Sequence, residues 1–273
     1  MVKLAACLSE KPWGQVDVPW QHRGANGVRI GEVAFRHPAG AELPVLIKYL
    51  YTSERLSIQV HPDNAQARAV GHPCGKDEMW IVLAAEPGAT IGLGLKQSCE
   101  PAQFASAVRD GSVVDLLDWK PVARGDVIYN RAGTIHAAGA GLVLLEVQQS
   151  ADLTYRLFDY GRPRELHLDE GLRVAYFGRH DSARDGSVAD RRSRILADGP
   201  YFGAAWCVGA FPVGLPTTAA WQVVVVSGSV RHQGLTYQIG QALCAASLEG
   251  LDLPGDAELL LAWPVQAALA QAA

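Results

Sequence analysis

Short apolar runs broken by glycine and proline constrain this chain more than any other feature. "LPVLIKYLY", "LSIQVH", "MWIVLAAEPG", "DVIYNRAG", "GLVLLEVQQS" and "LTYRLFDYG" follow one another between Leu43 and Gly161. Each is strand-length and rich in aliphatic or aromatic residues, and each ends at a turn former. Such spacing predicts an all-β fold of sandwich or barrel type. None of the runs approaches the ~20 residues needed to cross a bilayer, so no membrane partner is expected. "LAAC" at Leu4–Cys7 resembles a lipoprotein cleavage box, but the three residues before it are too few for a signal segment.

One helical island interrupts the strands. In "EPAQFASAVRDGSVVDLLDWKP", Pro101 suits a first helical position, and Phe104, Ala107 and Val108 fall at i, i+3 and i+4. Gly111 allows a turn, after which Val114, Leu116 and Leu117 begin a second short helix. From 178 to 194 the chain reads "GRHDSARDGSVADRRSR", nearly devoid of apolar residues, and is expected to be an exposed connector. Strand-like segments then return in "YFGAAWCVGAF", "WQVVVVSGSV", "LTYQIGQALCAA" and "AELLLAW". The expected organisation is a first β-unit over 1–177 with its helical insertion near 101–118, the connector 178–194, and a second β-unit over 195–273.

Charge narrows the partners. With 24 Lys+Arg against 28 Asp+Glu, the net charge of −4 gives no reason to expect nucleic acid or an anionic membrane surface. Five cysteines without a CxxC pair read as reduced thiols in a cytoplasmic protein.

The chemistry is expected in the first half, because the last segment holds one histidine, His232, and no ligand-like grouping. Gln59 and His61 lie two apart on a strand and so share a face. Glu78 opens the next strand, and His136 follows the turn of "GDVIYNRAGTIHAAGAG". An amide, two imidazoles and one carboxylate converging inside a β-barrel would suit a divalent first-row ion, zinc foremost. Taken singly, each residue also reads as an ordinary hydrogen-bonded side chain, and spacing alone leaves the two readings level.

"KYLYTSERLSIQVHPDN", "GKDEMWIVLAAEPGATIGLG" and "GDVIYNRAGTIHAAGAGLVLLEVQQSADLTYRLFDYGR" resemble, in that order, the type I mannose-6-phosphate isomerases in their short bacterial form. "EKPWG" at Glu10–Gly14 is similar to that family's opening motif, and the tail is only cupin-like. The resemblance implies two cupin-like jelly-roll barrels, the second without a metal site. It implies one zinc ion per chain on Gln59, His61, Glu78 and His136, and a small sugar phosphate as substrate. Arg156 matches the positive residue at the reacting end of the sugar, Lys76 an active-site lysine, and Lys48 and Ser57 positions lining the pocket. The implied reaction interconverts mannose 6-phosphate and fructose 6-phosphate through an enediol-type proton transfer, with Lys76 or a metal-activated water as the base.

Two further side chains enter from the residues themselves. Glu146 alternates with Leu142 and Leu144, so it either faces inward to orient a ligand or Arg156, or lies on the surface. Arg131 either reaches the pocket rim to contact phosphate or is a surface arginine. It stands in Arg131-Ala132-Gly133, where the family usually has proline-x-glycine. Longer relatives carry a histidine at the position of Gly75, so a mechanism using that histidine as base does not apply here. A cupin oxygenase using iron and a non-catalytic sugar-binding cupin are the competing readings. The first more often uses three histidines and a glutamate, and the second would be favoured by loss of a ligand or of Arg156.

Overall fold

A computed structural model of the chain describes residues 1–19, 22, 24, 27–217 and 220–265. Residues 266–273 of the expected second unit lie outside the described residues.

Two sheets face each other in the first half. The larger has seven strands. Its centre is β6 (Glu78–Ala85), β11 (Leu142–Gln149) and β4 (Val45–Thr52). Beyond β4 lie β3 (Ile30–Arg36) and then β2 (Ala5–Gln15); beyond β6 lie β9 (Asp126–Asn130) and β13 (Gly186–Ser187). The smaller sheet runs β12 (Tyr155–Phe158), β5 (Ile58–Val60), β10 (His136–Ala138), β7 (Thr90–Leu95) and β8 (Leu117–Pro121). The edge strands of neither sheet pair with each other. The expected jelly roll is therefore a pair of packed sheets and not a closed hydrogen-bonded barrel.

A six-stranded sheet builds the second half: β1 (Val2–Lys3), β19 (Ala242–Ala245), β16 (Trp221–Ser227), β21 (Glu258–Pro264), β15 (Phe202–Val208) and β14 (Arg194–Asp198). A ribbon of β18 (Leu235–Gln238), β17 (Ser229–His232) and β20 (Leu251–Asp252) completes it. The first strand of the chain thus pairs with the last unit, Val2 opposite Cys244. The connector contributes β13, which pairs Gly186 with Val127 and Ser187 with Asp126.

Strand parity explains how one chain supplies both a core and a site. Every residue of β4 is buried. Val45, Ile47, Tyr49 and Tyr51 join Met79, Ile81, Leu145, Val147 and, from the second half, Trp206 and Leu260 in one apolar core. The alternate residues Lys48, Glu78, Trp80 and Glu146 point to the other face, because successive side chains in a strand oppose each other. Register then sets them side by side: Glu146 pairs with Lys48 on one flank and with Trp80 on the other, and Gln148 pairs with Glu78.

The helices flank this frame. The expected helical island is α2 (Pro101–Asp110) followed by α3 (Val113–Leu116). Phe104, Ala107 and Val108 pack with Ile58, Val60, Ala137 and Leu157 on the outer face of the smaller sheet. The island therefore backs the sheet and does not wall the pocket. Two helices were not anticipated. One, α1 (Asn64–Ala69), begins with a reciprocal capping box in which Asp63 accepts from the Gln66 backbone and Gln66 from the Asp63 backbone. The other is α4 (Leu168–Val174), with Asp169 and Glu170 in its first turn and Arg173 in its last.

Candidate metal centre

Three short segments converge on one point. Gln59 and His136 are direct cross-strand partners of β5 and β10, and Arg156 of β12 lies opposite Gln59 on its other side. Across the gap stands Glu78, the first residue of β6. His61 Nε2 lies 3.4 Å from Glu78 Oε2, and His136 Nε2 lies 3.3 Å from Glu78 Oε1. The donor atoms of these three buried residues all fall within 4.8 Å of one another.

Backbone carbonyls fix which ring nitrogen faces inward. His61 Nδ1 donates to the Leu153 carbonyl at 3.0 Å, and His136 Nδ1 donates to the Thr134 carbonyl at 2.9 Å. Each ring therefore presents an unprotonated Nε2 towards Glu78. Burial lowers the pKa of both rings, that of His136 to about 3, so neither carries a proton on Nε2 near neutrality. Burial alone would raise the Glu78 pKa, yet the Lys76 ammonium beside it holds it well below the usual carboxylate range.

The His136 lone pair thus points at the Glu78 carboxylate, while His61 Nε2 also accepts from Lys76 Nζ at 3.2 Å. Glu78 Oε1 accepts from Asn130 Nδ2 at 2.7 Å, while Oε2 has no hydrogen-bond partner. Lys76 Nζ lies 2.8 Å from Oε2 as its ion-pair partner. Gln59 Nε2 sits 3.1 Å from His136 Nε2. The two terminal atoms of a side-chain amide exchange places by a half-turn, which would bring Oε1 to the same spot. A buried carboxylate, two inward lone pairs and an amide are donors that fit a divalent cation.

The surrounding cavity is about 240 Å³. Lys48, Ser57, Gln59, Lys76, Glu146 and Arg156 line it together. Glu146 does face inward. It accepts from Trp80 Nε1 at 3.1 Å and lies 3.8 Å from both Lys48 Nζ and Lys76 Nζ. Burial is the main cause that raises its pKa, to about 7. Burial alone would lower the Lys76 pKa, but the carboxylates of Glu146, Glu78 and Asp152 outweigh it, so the free lysine is held as an ammonium. Arg156 donates from Nη1 to the Glu165 carbonyl at 2.7 Å and has a buried Nε without a partner.

Arg131 is elsewhere. It lines a different cavity with Asp63, Asp77 and Tyr201, and its guanidinium lies 3.7 Å from Asp181. Of the two readings of Arg131, contact at the pocket rim is not what the structure shows: its exposed side chain is absent from the lining shared by Lys48 and Arg156. The β9–β10 turn lines the Arg131 cavity together with Pro200 and Tyr201 of the second half. Lys11, Trp13, Glu32, Asp152 and Arg164 also line the pocket and were missed. Lys11 and Trp13 belong to the quoted "EKPWG" motif, a usable signal. Nothing local marks Glu32 or Asp152.

No family model matches the chain. It is 33% identical over 207 residues to a mannose-6-phosphate isomerase of Streptococcus mutans, a match covering 73% of this chain and 60% of that protein. A mannose-6-phosphate isomerase of Bacillus subtilis is 35% identical over 142 residues, 50% of this chain and 45% of that protein. The chain is thus similar in sequence to proteins named mannose-6-phosphate isomerase over half or more of its own length. Its matches span about three-fifths or less of the length of these two relatives. The fold agrees with the family at greater extent. The crystal structure of a mannose 6-phosphate isomerase from Bacillus subtilis superposes with a TM-score of 0.73 at 21% identity, covering 96% of this chain and 98% of that one. A phosphomannose isomerase variant from Salmonella typhimurium gives 0.67 at 15% identity, over 97% and 99%.

Proposed function

We propose that the protein is a zinc-dependent aldose–ketose isomerase interconverting mannose 6-phosphate and fructose 6-phosphate. The observation that carries this reading is the arrangement of two tautomer-fixed imidazoles around a buried carboxylate, next to a cationic pocket that Gln59 and Lys76 line. Zinc bonds of about 2.0–2.2 Å in a tetrahedron put neighbouring donors about 3.3–3.6 Å apart. His61 Nε2 and His136 Nε2 lie 3.4 and 3.3 Å from the two oxygens of Glu78, and one donor atom from each of the three residues falls within 4.8 Å of the others, a cluster on which a divalent ion could close. His61, Glu78, His136 and Gln59 would hold it. Once bound, zinc supplies Lewis-acid polarisation of the sugar's carbonyl and hydroxyl oxygens.

The pocket's charge suits a sugar phosphate. Lys11, Lys48, Lys76, Arg156 and Arg164 line it against the carboxylates of Glu32, Glu146 and Asp152, an excess of two positive charges. Its volume suits a small polar metabolite, below the ~300–1,000 Å³ of sites for drug-sized ligands.

Isomerisation removes the proton from C2 of the open-chain aldose and returns one to C1, while the O2 hydroxyl proton passes to O1. Negative charge develops on these oxygens in the transition state. Arg156, with its unpartnered Nε, provides a fixed positive charge for it. Lys76, whose ammonium lies beside Glu78 and Glu146, would hold a proton at the sugar oxygens. Glu146 orients Trp80 and the two lysines. The free cysteines among the described residues support a reducing, cytoplasmic setting.

The test is direct. The purified protein, loaded with zinc, is incubated with mannose 6-phosphate and ketose phosphate is measured, with and without a chelator. Chelator-sensitive formation of fructose 6-phosphate is expected. A zinc-loaded, folded protein that forms none overturns the proposal.

A further inference from the structure

Between Lys76, which lines the pocket, and Glu78 of the donor set, Asp77 points to the opposite face of the sheet and is 6% exposed. Its carboxylate touches neither the donor set nor the pocket. Oδ1 accepts from the Ala132 backbone N–H at 2.9 Å, and Oδ2 accepts from the Tyr129 hydroxyl at 3.0 Å. Ala132 sits in the turn that leads from β9 to His136. The next residue, Gly133, takes φ +86, a conformation glycine adopts without strain, and donates its N–H to the His61 carbonyl at 2.8 Å.

Successive amides of one turn are thus tied to the segments that bear the other two donors. Ala132 is held through a side chain beside Glu78, and Gly133 by the backbone of His61 itself. A third tie closes the set, since Lys76 N donates to the Pro62 carbonyl at 3.0 Å. The Asp77 strand is itself fixed, its N–H donating to Gln149 Oε1 at 2.9 Å. Within this triangle of segments 61–62, 76–78 and 132–136, Asp77 supplies the side-chain link between the Glu78 and His136 corners.

We propose that Asp77 is a positioning residue that sets the separation of Glu78 and His136 and thereby the affinity of the centre for its ion. The inference rests on the metal reading given above. Metal sites demand donor distances within about 0.2 Å of ideal, and loss of an outer partner typically costs about 10–100-fold in affinity. Asparagine at this position keeps a carbonyl oxygen for Ala132 N–H and an amide for the Tyr129 hydroxyl. Alanine keeps neither.

The experiment is a zinc titration against a chromogenic chelator for wild type, Asp77→Asn, Asp77→Ala and Tyr129→Phe, with folding checked by circular dichroism. Hydrogen exchange over residues 131–136 is followed in the metal-free proteins. Asp77→Ala is expected to bind zinc about 10–100-fold more weakly and to exchange faster at the turn, and saturating zinc should restore its activity. Asp77→Asn should remain within about threefold of wild type, and Tyr129→Phe should fall between the two. A folded Asp77→Ala with wild-type zinc affinity overturns this inference and leaves the metal reading standing. If Asp77→Ala does not fold, Asp77→Asn and Tyr129→Phe decide: equal loss of affinity in both overturns the inference. A wild-type protein that takes up no divalent ion overturns the metal reading and the inference together.

Discussion

Gly75 offers a quantitative test, because it occupies the position where longer relatives carry a histidine. A Cβ placed on Gly75 would lie 2.4 Å from the Asp63 carbonyl carbon, 2.5 Å from the Pro62 oxygen and 2.7 Å from the Asn64 nitrogen. All three are backbone atoms, so no side chain can swing aside. Restoring ordinary contact at about 3.5 Å requires a retreat of roughly 1 Å. The two segments are also held together: Gly75 N donates to Asn64 Oδ1 at 2.7 Å and Lys76 N to the Pro62 carbonyl. Overpacking of this kind costs about 1–3 kcal/mol. At ~2–4 °C per kcal/mol for a chain of this size class, Gly75→Ala should melt about 2–12 °C lower without metal. The strain falls between His61 and Glu78, so zinc affinity should drop at least about tenfold. Differential scanning calorimetry and a chelator titration read both effects. A variant with wild-type melting temperature and wild-type zinc affinity would show that the loop has slack the structure denies. Gly75→His, the change towards the longer relatives, should be worse than alanine.

Four other outcomes are expected. Arg156→Ala should lower kcat by about 10²–10³-fold while zinc content, read by atomic absorption, stays at the wild-type level; a change in KM alone contradicts its assigned role. Arg131→Ala should leave KM for mannose 6-phosphate within about twofold in steady-state assays, well short of the ~10–100-fold effects of outer-shell partners, since Arg131 pairs with Asp181 on another cavity; a several-fold rise would return it to the pocket. Zinc at about 100 times its dissociation constant should add about 2.7 kcal/mol of stability, seen as an upward melting shift that Glu78→Gln abolishes. Burial lowers the pKa of His22, whose ring nitrogens contact the Tyr51 hydroxyl at 2.6 Å and the Gly240 carbonyl at 3.0 Å. The unfolded chain therefore binds a proton that the folded chain does not. Stability from this group is complete above pH ~6.5 and is lost as pH falls below it. Denaturant melts from pH 7 to 5 should be flatter for His22→Gln; unchanged steepness contradicts the assignment.

Parity made much of the site legible. Gln59 and His61 share a face because they are two apart, and Glu146 turns inward as its alternation with Leu142 and Leu144 allowed. Pro101 and Gly111 bracket α2 as local chemistry dictates. The helix at Asn64–Ala69 was equally legible in its Asp63–Gln66 capping box, but its six residues are too few to show a hydrophobic period. Other features lie beyond any local pattern. Asp152 reaches Lys48 at 3.2 Å across a separation of 104 residues, and Glu32 joins it from a strand with no distinctive motif. The pairing of Val2 with Cys244 is made by backbone groups alone and leaves no side-chain signature. The choice between the two readings of Arg131 was open for the same reason: a turn's sequence gives its bend, while the side of the sheet it folds over depends on distant packing.

The central claim is that His61, Glu78 and His136 hold a divalent ion between two inward lone pairs and a buried carboxylate. Metal analysis of the purified protein beside His136→Ala and Glu78→Gln tests it most directly. One equivalent of zinc per chain in the wild type, and a near-complete loss in both folded variants, is the predicted result. A wild-type chain free of bound divalent ion after zinc loading, or an equivalent retained by both variants, would contradict it.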